Sequence, residues 1–135
     1  MALEDDGGYD DERFWQRVAS NDPTFLGFWT HRCTGCQVMA PVFSRLAKHY
    51  RRRIEFIAVN TYDRPDIARR FGVSSTPTFV LTRGGKALRR FVGNISEPLL
   101  KQHLEPHAPP PTEGIGEEER RGLLSRLLGG ILGRN

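Results

Sequence analysis

The sequence predicts an α/β fold in which a mixed four-stranded central sheet is covered by helices on both faces. Short apolar runs of strand length alternate with segments whose apolar residues recur every three or four positions. The last two apolar runs are joined by Arg83-Gly84-Gly85-Lys86, a tight hairpin turn. Strands separated by helices run parallel and a hairpin reverses the chain. The sheet is therefore expected to be mixed, with the hairpin at one edge.

The first two predicted elements are a helix and a strand. Acidic residues at 10–12 suit the start of a helix, and Asn21-Asp22-Pro23 ends it. The run that follows, 24–30, is apolar and aromatic and has the length of a strand. The chain thus enters the sheet through a short amphipathic helix.

A longer helix is predicted after Cys36, because apolar residues from Val38 to Ala47 recur at helical spacing. Pro41 lies inside this pattern and predicts a kink. The later elements are predicted as a strand at 54–59, a helix at 65–71 closed by Gly72, strands at 78–82 and 87–92, and a helix at 96–104 capped by Ser96. The predicted order is α-β-α-β-α-β-β-α.

The composition of successive segments and the position of the Pro/Gly-rich segment divide the 135 residues into one domain with flanking segments. Residues 1–9 form an acidic N-terminal arm, and residues 10–105 carry the predicted elements. Residues 106–116 are a Pro/Gly-rich linker, and 117–135 are predicted to form an amphipathic helical tail. No apolar run is long enough to span a bilayer, and the N-terminus lacks the basic and apolar regions of a secretory signal. We therefore expect a cytoplasmic protein.

The charge is unevenly distributed, although the net charge is only +4. The arm is acidic and the domain is basic, which suits an acidic protein partner or contact between arm and domain. Arg51-Arg52-Arg53 is the densest basic run, but no nucleic-acid-binding motif accompanies it. We therefore expect no nucleic-acid partner.

The only two cysteines, Cys33 and Cys36, are three positions apart. A disulfide between them closes almost no loop, so the use of this pair is chemical or metal-binding rather than structural. Cys33 lies between a predicted strand and helix, where unpaired N–H groups and the helix dipole lower the pKa of a thiol. Arg32 adds positive charge beside it. Cys33 is therefore predicted to attack a substrate disulfide, and Cys36, one turn later, to resolve the mixed disulfide.

Several linked motifs around this pair resemble those of thioredoxins. The resemblance covers residues 10–105 and is specific because the motifs agree in order and spacing. These motifs are Phe28–Pro41, Val59-Asn60, Phe71-Gly72-Val73, Thr76–Phe79, Gly84-Gly85-Lys86 and Phe91-Val92-Gly93.

The resemblance implies a thioredoxin fold and a thiol–disulfide oxidoreductase that acts on protein disulfide or dithiol substrates. It implies recycling by a reductase or another redox partner, and no cofactor other than the Cys33–Cys36 disulfide. Thr34 and Gly35 lie between the cysteines, where residues tune the reduction potential.

The resemblance also assigns roles to residues far from the pair in sequence. Pro77 aligns with a cis-proline that faces the cysteines. Thr76 is expected to contact Cys33, and its backbone to pair with the substrate as an added strand. Trp29 is expected to pack near the pair, and Gly93 to leave room for the substrate.

The chain departs from the family at several positions. Thioredoxins usually have Trp-Cys-Gly-Pro-Cys, whereas this chain has Arg32-Cys33-Thr34-Gly35-Cys36. Gly27 stands where they usually keep a buried Asp, and Ala58 where they often keep a Lys. The family's usual first strand is missing from residues 1–9, which makes the strand at 54–59 a predicted sheet edge. These departures leave the direction of the redox reaction open.

Two other functions compete with this one. His31, Cys33 and Cys36 are soft metal ligands, but structural zinc needs four ligands and no second CxxC exists, so no metal is expected. The second alternative belongs to a different functional class. It is a thioredoxin-like adaptor or assembly module, which binds a partner with little or no turnover.

The predicted tail carries a stripe of large apolar residues that needs a cover. The stripe consists of Leu123, Leu124, Leu127, Leu128, Ile131 and Leu132. Packing on the same chain or in a dimer is the preferred cover, and a partner protein or a membrane surface are the alternatives.

Overall fold

The order of helices and strands in the computed structural model agrees with the predicted order. The structure describes residues 11–111, so the acidic arm, most of the linker and the predicted tail lie outside the described residues. The elements are α1 (Asp11–Ala19), β1 (Thr24–Trp29), α2 (Thr34–His49), β2 (Glu55–Asn60), α3 (Pro65–Arg70), β3 (Thr78–Arg83), β4 (Lys86–Val92), α4 (Glu97–Leu104) and a 3-10 turn (Glu105–His107).

The four strands form one mixed sheet in the order β2-β1-β3-β4. β1 pairs in parallel with β2 and antiparallel with β3, and β3 pairs antiparallel with β4. Within the described part of the chain β2 is therefore an edge strand, whereas residues 1–9, on which the prediction of a missing first strand rests, lie outside it. Phe28 of β1 lies beside Val59 of β2 and Thr78 of β3, and Thr78 lies beside Val92 of β4. The cysteine pair follows this end of the sheet.

Helices cover both faces of the sheet, which explains why the sequence of β1 is a continuous apolar run. Every residue of β1 is buried. Phe25 belongs to the cluster beneath α2 and α4, whereas Leu26 belongs to the cluster beneath α1 and α3. This alternation places Gly27 and Trp29 on the side of α2, because successive strand residues face opposite sides.

Local signals explain how the helices begin and end. The Ser96 hydroxyl accepts a hydrogen bond from the Leu99 N–H and caps α4, as predicted. Gly72 follows α3 with a φ of +67°, a conformation that glycine adopts at low cost. Pro41 lies inside α2, which runs as one helix from Thr34 to His49.

The last residue of the predicted domain and the first residues of the predicted linker pack on the sheet and helices. The Tyr50 hydroxyl donates to Glu105 Oε1 at 2.9 Å, and Arg83 donates to the carbonyl of His107. Ala108 packs against the larger buried cluster because its methyl group is apolar. The packed part thus extends beyond residue 105. None of the helices described between residues 11 and 111 is long and apolar enough to cross a membrane.

Candidate active site

Cys33 and Cys36 form a disulfide at the end of the sheet where β1 passes into α2. Their Cα atoms are 5.2 Å apart. Cys33 is the N-cap residue of α2, with an extended backbone, and its Sγ accepts a hydrogen bond from the Cys36 N–H at 3.1 Å. The sulfur therefore lies at the positive end of the helix, where a thiolate is stabilised.

The two sulfurs differ in accessibility. Cys33 is only partly buried at the edge of the core, whereas Cys36 is 1% exposed. Thr34 follows Cys33 as the exposed first residue of α2. A substrate approaching from solvent therefore meets Cys33 before it meets Cys36.

The segment before β3 faces the cysteine pair across the end of the sheet. The Thr76–Pro77 peptide bond is cis. The Thr76 hydroxyl lies 3.5 Å from Cys33 Sγ, and the Pro77 carbonyl accepts a hydrogen bond from the Gly93 N–H at 2.9 Å. The structure thus brings Thr76, Pro77 and Gly93 together with Cys33, although more than 40 positions separate them in sequence.

Two glycines shape this surface in different ways. A Cβ added to Gly35 would lie 3.0 Å from both Pro77 Cδ and Asn94 Oδ1, so Gly35 allows close packing between α2 and the proline. A Cβ added to Gly93 would meet no atom within 4 Å, and its φ is +91°. The backbone at Gly93 therefore borders open space beside the pair. Asn94 was not predicted as a site residue, although its position next to Gly93 was a usable signal.

Trp29 lies behind the disulfide and contacts a small polar cluster. Its side chain is 5% exposed and packs in the same buried cluster as Cys36. The His31 ring meets the Trp29 ring edge-on at 5.4 Å, and His31 Nε2 lies 3.5 Å from Asn60 Nδ2. Asn60 Oδ1 accepts a hydrogen bond from the Tyr62 N–H, which holds the loop after β2 against this end of the site. Within residues 11–111, Trp29 Nε1 is buried without a hydrogen-bond partner.

Arg32 lies on the outer rim of the site. It is exposed and has a φ of +58°, in the left-handed region that non-glycine residues seldom adopt. In sequence, Arg32 directly precedes Cys33, the N-cap residue of α2.

The space behind the pair is apolar. A Cβ at Gly27 would lie 2.8 Å from Cε1 of Phe43, so this ring fills the volume that a larger residue at position 27 would need. Ala58 lies beside Gly27 on β2 and is also buried. Phe43 belongs to the apolar pattern of the helix predicted after Cys36, but its contact with position 27 was not predicted, although a glycine inside an apolar strand was a usable signal.

The alternative of a metal site depends on the number of ligands near the cysteine pair. Residues 11–111 contain no group of three or more His, Cys, Asp or Glu side chains placed to hold a metal ion.

Comparison with known proteins matches the domain to one family. The thioredoxin family model matches residues 8–106. Thioredoxin 1 of Nostoc sp. is 35% identical over 98 residues, which cover 72% of this chain and 92% of the relative. The thioredoxin of Porphyra purpurea is 32% identical over 95 residues, which cover 70% of this chain and 89% of the relative.

Solved structures share the fold. A thioredoxin from Malassezia sympodialis superposes with a TM-score of 0.67 at 23% identity and covers 73% of this chain and 85% of its own. A mutant thioredoxin from Halobacterium salinarum has a TM-score of 0.66 at 24% identity, covering 76% and 88% respectively. The family match, the relatives and the disulfide pair favour the oxidoreductase over the adaptor. The chain belongs to the thioredoxin family and is a thiol–disulfide oxidoreductase.

Proposed function

We propose that Cys33 is the attacking sulfur and Cys36 the resolving sulfur in disulfide exchange with protein substrates. The observation that carries this assignment is the contrast between a partly exposed Cys33 at the N-cap of α2 and a Cys36 that is 1% exposed. Only the thiolate is nucleophilic, and the N-cap position favours the thiolate of Cys33 after reduction.

The exchange proceeds in two steps. The Cys33 thiolate attacks one sulfur of the substrate disulfide, whose S–S bond breaks, and the departing sulfur leaves as a thiolate that takes a proton. Cys36 then loses its proton and attacks Cys33 Sγ, which releases the second substrate thiol and forms the Cys33–Cys36 disulfide. Two electrons have passed to the substrate, and a reductase or other dithiol partner restores the protein dithiol. The cysteine pair is the only redox group that this cycle uses.

Thr76, Pro77 and Gly93 form the surface on which the substrate lies. Residue pairing between β3 and β4 begins at Thr78, so the backbone of Thr76 lies outside that ladder. An extended substrate segment beside Thr76 would form main-chain hydrogen bonds, as an added strand does. The open space at Gly93 admits the substrate backbone near Cys33.

A trapping experiment tests the assignment of the two sulfurs. In the full chain, Cys36→Ser is expected to accumulate mixed disulfides with protein substrates through Cys33, detected by non-reducing electrophoresis and mass spectrometry. Cys33→Ser is expected to accumulate far fewer. If Cys33→Ser traps substrates and Cys36→Ser does not, the roles are reversed.

The reduction potential of the couple determines the direction of the reaction. Equilibration with defined ratios of reduced and oxidised glutathione measures it, with the disulfide fraction read by alkylation and mass spectrometry. A potential near that of the cytosolic glutathione pool supports a reductant and the expected cytoplasmic location, and a much higher potential supports an oxidant or isomerase.

A further inference from the structure

We propose that Arg32 selects protein substrates in which an acidic residue flanks the target disulfide. The inference rests on the proposed function, because it requires the substrate to lie on the rim next to Cys33. It adds a preference for substrate charge to that site.

The position of Arg32 gives its guanidinium direct access to a substrate. Arg32 is exposed and immediately precedes Cys33, the sulfur that a substrate disulfide must reach. Its φ of +58° belongs to the left-handed region, which glycine and asparagine adopt more easily. The backbone alone therefore does not explain an arginine here.

The charge of Arg32 is not used inside the described part of the domain. Between residues 11 and 111, Arg32 forms no hydrogen bond and no ion pair. Other acidic side chains of the described residues have partners of their own: Glu97 pairs with Arg45 at 2.8 Å, and Asp66 pairs with Arg64 at 3.0 Å. Asp63 follows β2 and makes no ion pair with Arg32. Since no carboxylate of residues 11–111 pairs with it, this cation is available to a carboxylate brought by another molecule.

The surroundings of the site supply the remaining contact surface. Val38 on α2, Tyr62 after β2 and Val92 at the end of β4 are large apolar residues that stay exposed. All three lie on elements that meet at the active-site end of the sheet. This end of the sheet thus offers exposed apolar side chains and, among residues 11–111, the unpaired charge of Arg32 next to the attacking sulfur. A substrate segment with apolar residues and a carboxylate next to its cysteine complements it.

The same chain provides a matched control. Arg52 is the other non-glycine residue with a positive φ, at +67°, among residues 11–111, and it is also exposed. It lies beyond the C-terminal end of α2, whose 16 residues span about 24 Å from the active site. Replacing Arg52 removes the same charge from a similar backbone conformation far from Cys33.

The test compares three synthetic peptides that each contain one internal disulfide and differ only in having Asp, Ser or Lys next to both cysteines. The second-order rate constant for oxidation of the reduced full-length protein is measured by quenched flow, alkylation and mass spectrometry. Each rate constant is divided by that of dithiothreitol with the same peptide, which corrects for the intrinsic reactivity of the disulfide.

For the unmodified chain we expect the Asp peptide to react about tenfold faster than the Lys peptide at low salt. An exposed ion pair with the Asp peptide changes a rate by up to about fivefold, and repulsion of the Lys peptide adds to the difference. Arg32→Gln should abolish the ratio, Arg32→Glu should invert it, and Arg32→Lys should retain most of it. Arg52→Gln should leave it unchanged. High salt should reduce the ratio, because exposed charges are screened.

An equal ratio in the unmodified chain and Arg32→Gln would overturn the proposal, as would an equal loss in Arg52→Gln. The Ser peptide separates this inference from the function on which it rests. Exchange with the Ser peptide but no charge preference rejects only the role of Arg32, whereas absence of exchange with all three peptides rejects both.

Discussion

The Phe43 ring occupies the space into which a side chain at Gly27 would project. A Cβ at Gly27 would lie 2.8 Å from Cε1 and 3.1 Å from Cζ of this ring. Phe43 is held there by aromatic neighbours on the sheet, with its ring centroid 6.1 Å from that of Phe25 and 6.0 Å from that of Phe79. A side chain at position 27, such as the family's usual acidic residue, therefore requires the Phe43 ring to move.

Gly27→Ala is expected to lower the free energy of unfolding by about 1–3 kcal/mol, because the added methyl group overpacks the contact with Phe43. Denaturant unfolding measures the change. Phe43→Leu removes the obstructing ring, so in its background Gly27→Ala should cost clearly less. Equal costs in both backgrounds would show that the two residues do not oppose each other.

Alkylation of the reduced protein should modify Cys33 before Cys36. Cys36 is 1% exposed, whereas Cys33 is partly exposed and lies at the helix start. A short pulse of iodoacetamide followed by peptide mass spectrometry measures the order, and single Cys→Ser variants assign the rates. Faster labelling of Cys36 would contradict the assignment of the attacking sulfur.

Stability should fall as the pH is lowered through the titration of His107. Burial, followed by the positive charges of Arg83 and Arg89, lowers the pKa of His107 below its ordinary value of about 6.5. The unfolded chain therefore binds a proton at a higher pH than the folded chain does. Hence the free energy of unfolding rises with pH between the pKa of His107 in the folded chain and its pKa in the unfolded chain. Acidification below neutral pH therefore removes stability.

His107→Gln isolates this contribution, because Arg83 bonds to the backbone carbonyl of residue 107 and that contact needs no imidazole. Denaturant unfolding at pH 7.5 and pH 5 should show a smaller loss on acidification in His107→Gln than in the unmodified chain. An equal loss in both proteins would show that His107 does not titrate differently on folding.

The sequence predicted the order of the elements because each carries a local signal. A continuous apolar run marked β1, Gly84-Gly85 marked the hairpin, and Ser96 marked the start of α4. The boundaries differ by about one residue, as at β2, which spans Glu55–Asn60 where residues 54–59 were predicted. Local patterns of this kind depend on neighbours in sequence and can be identified without a structure.

Contacts between distant residues were the part that sequence reasoning did not provide. The approach of Phe43 to Gly27 depends on how α2 packs across the sheet, and His31 meets Asn60 across 29 positions. That Arg32 has no partner among residues 11–111 follows only from where the acidic side chains of this range lie in space. Thr76 and Pro77 were predicted as site residues from the family resemblance, because a sequence motif identifies them and hydrophobic periodicity does not.

The close packing of Gly35 against Pro77 gives the last prediction. In Gly35→Ala the new methyl group would lie 3.0 Å from Pro77 Cδ and from Asn94 Oδ1. The Asn94 side chain is exposed and can turn away, whereas Pro77 is buried and its carbonyl is bonded to the Gly93 N–H. The substitution should therefore displace Pro77 relative to Cys33 and slow exchange with protein disulfides by about tenfold, the scale expected for misplaced reacting groups.

Steady-state reduction of a protein disulfide, with dithiothreitol as the recycling reductant, measures this effect. Ser44→Ala, on an exposed position of the same helix, serves as the control and should retain the rate of the unmodified chain. Exchange with a small disulfide such as oxidised glutathione should fall less in Gly35→Ala, because a small substrate needs less of the surface at Pro77 and Gly93. If both substrates slow equally, the substitution acts on the cysteine pair itself, and the contact between Gly35 and Pro77 does not position the substrate.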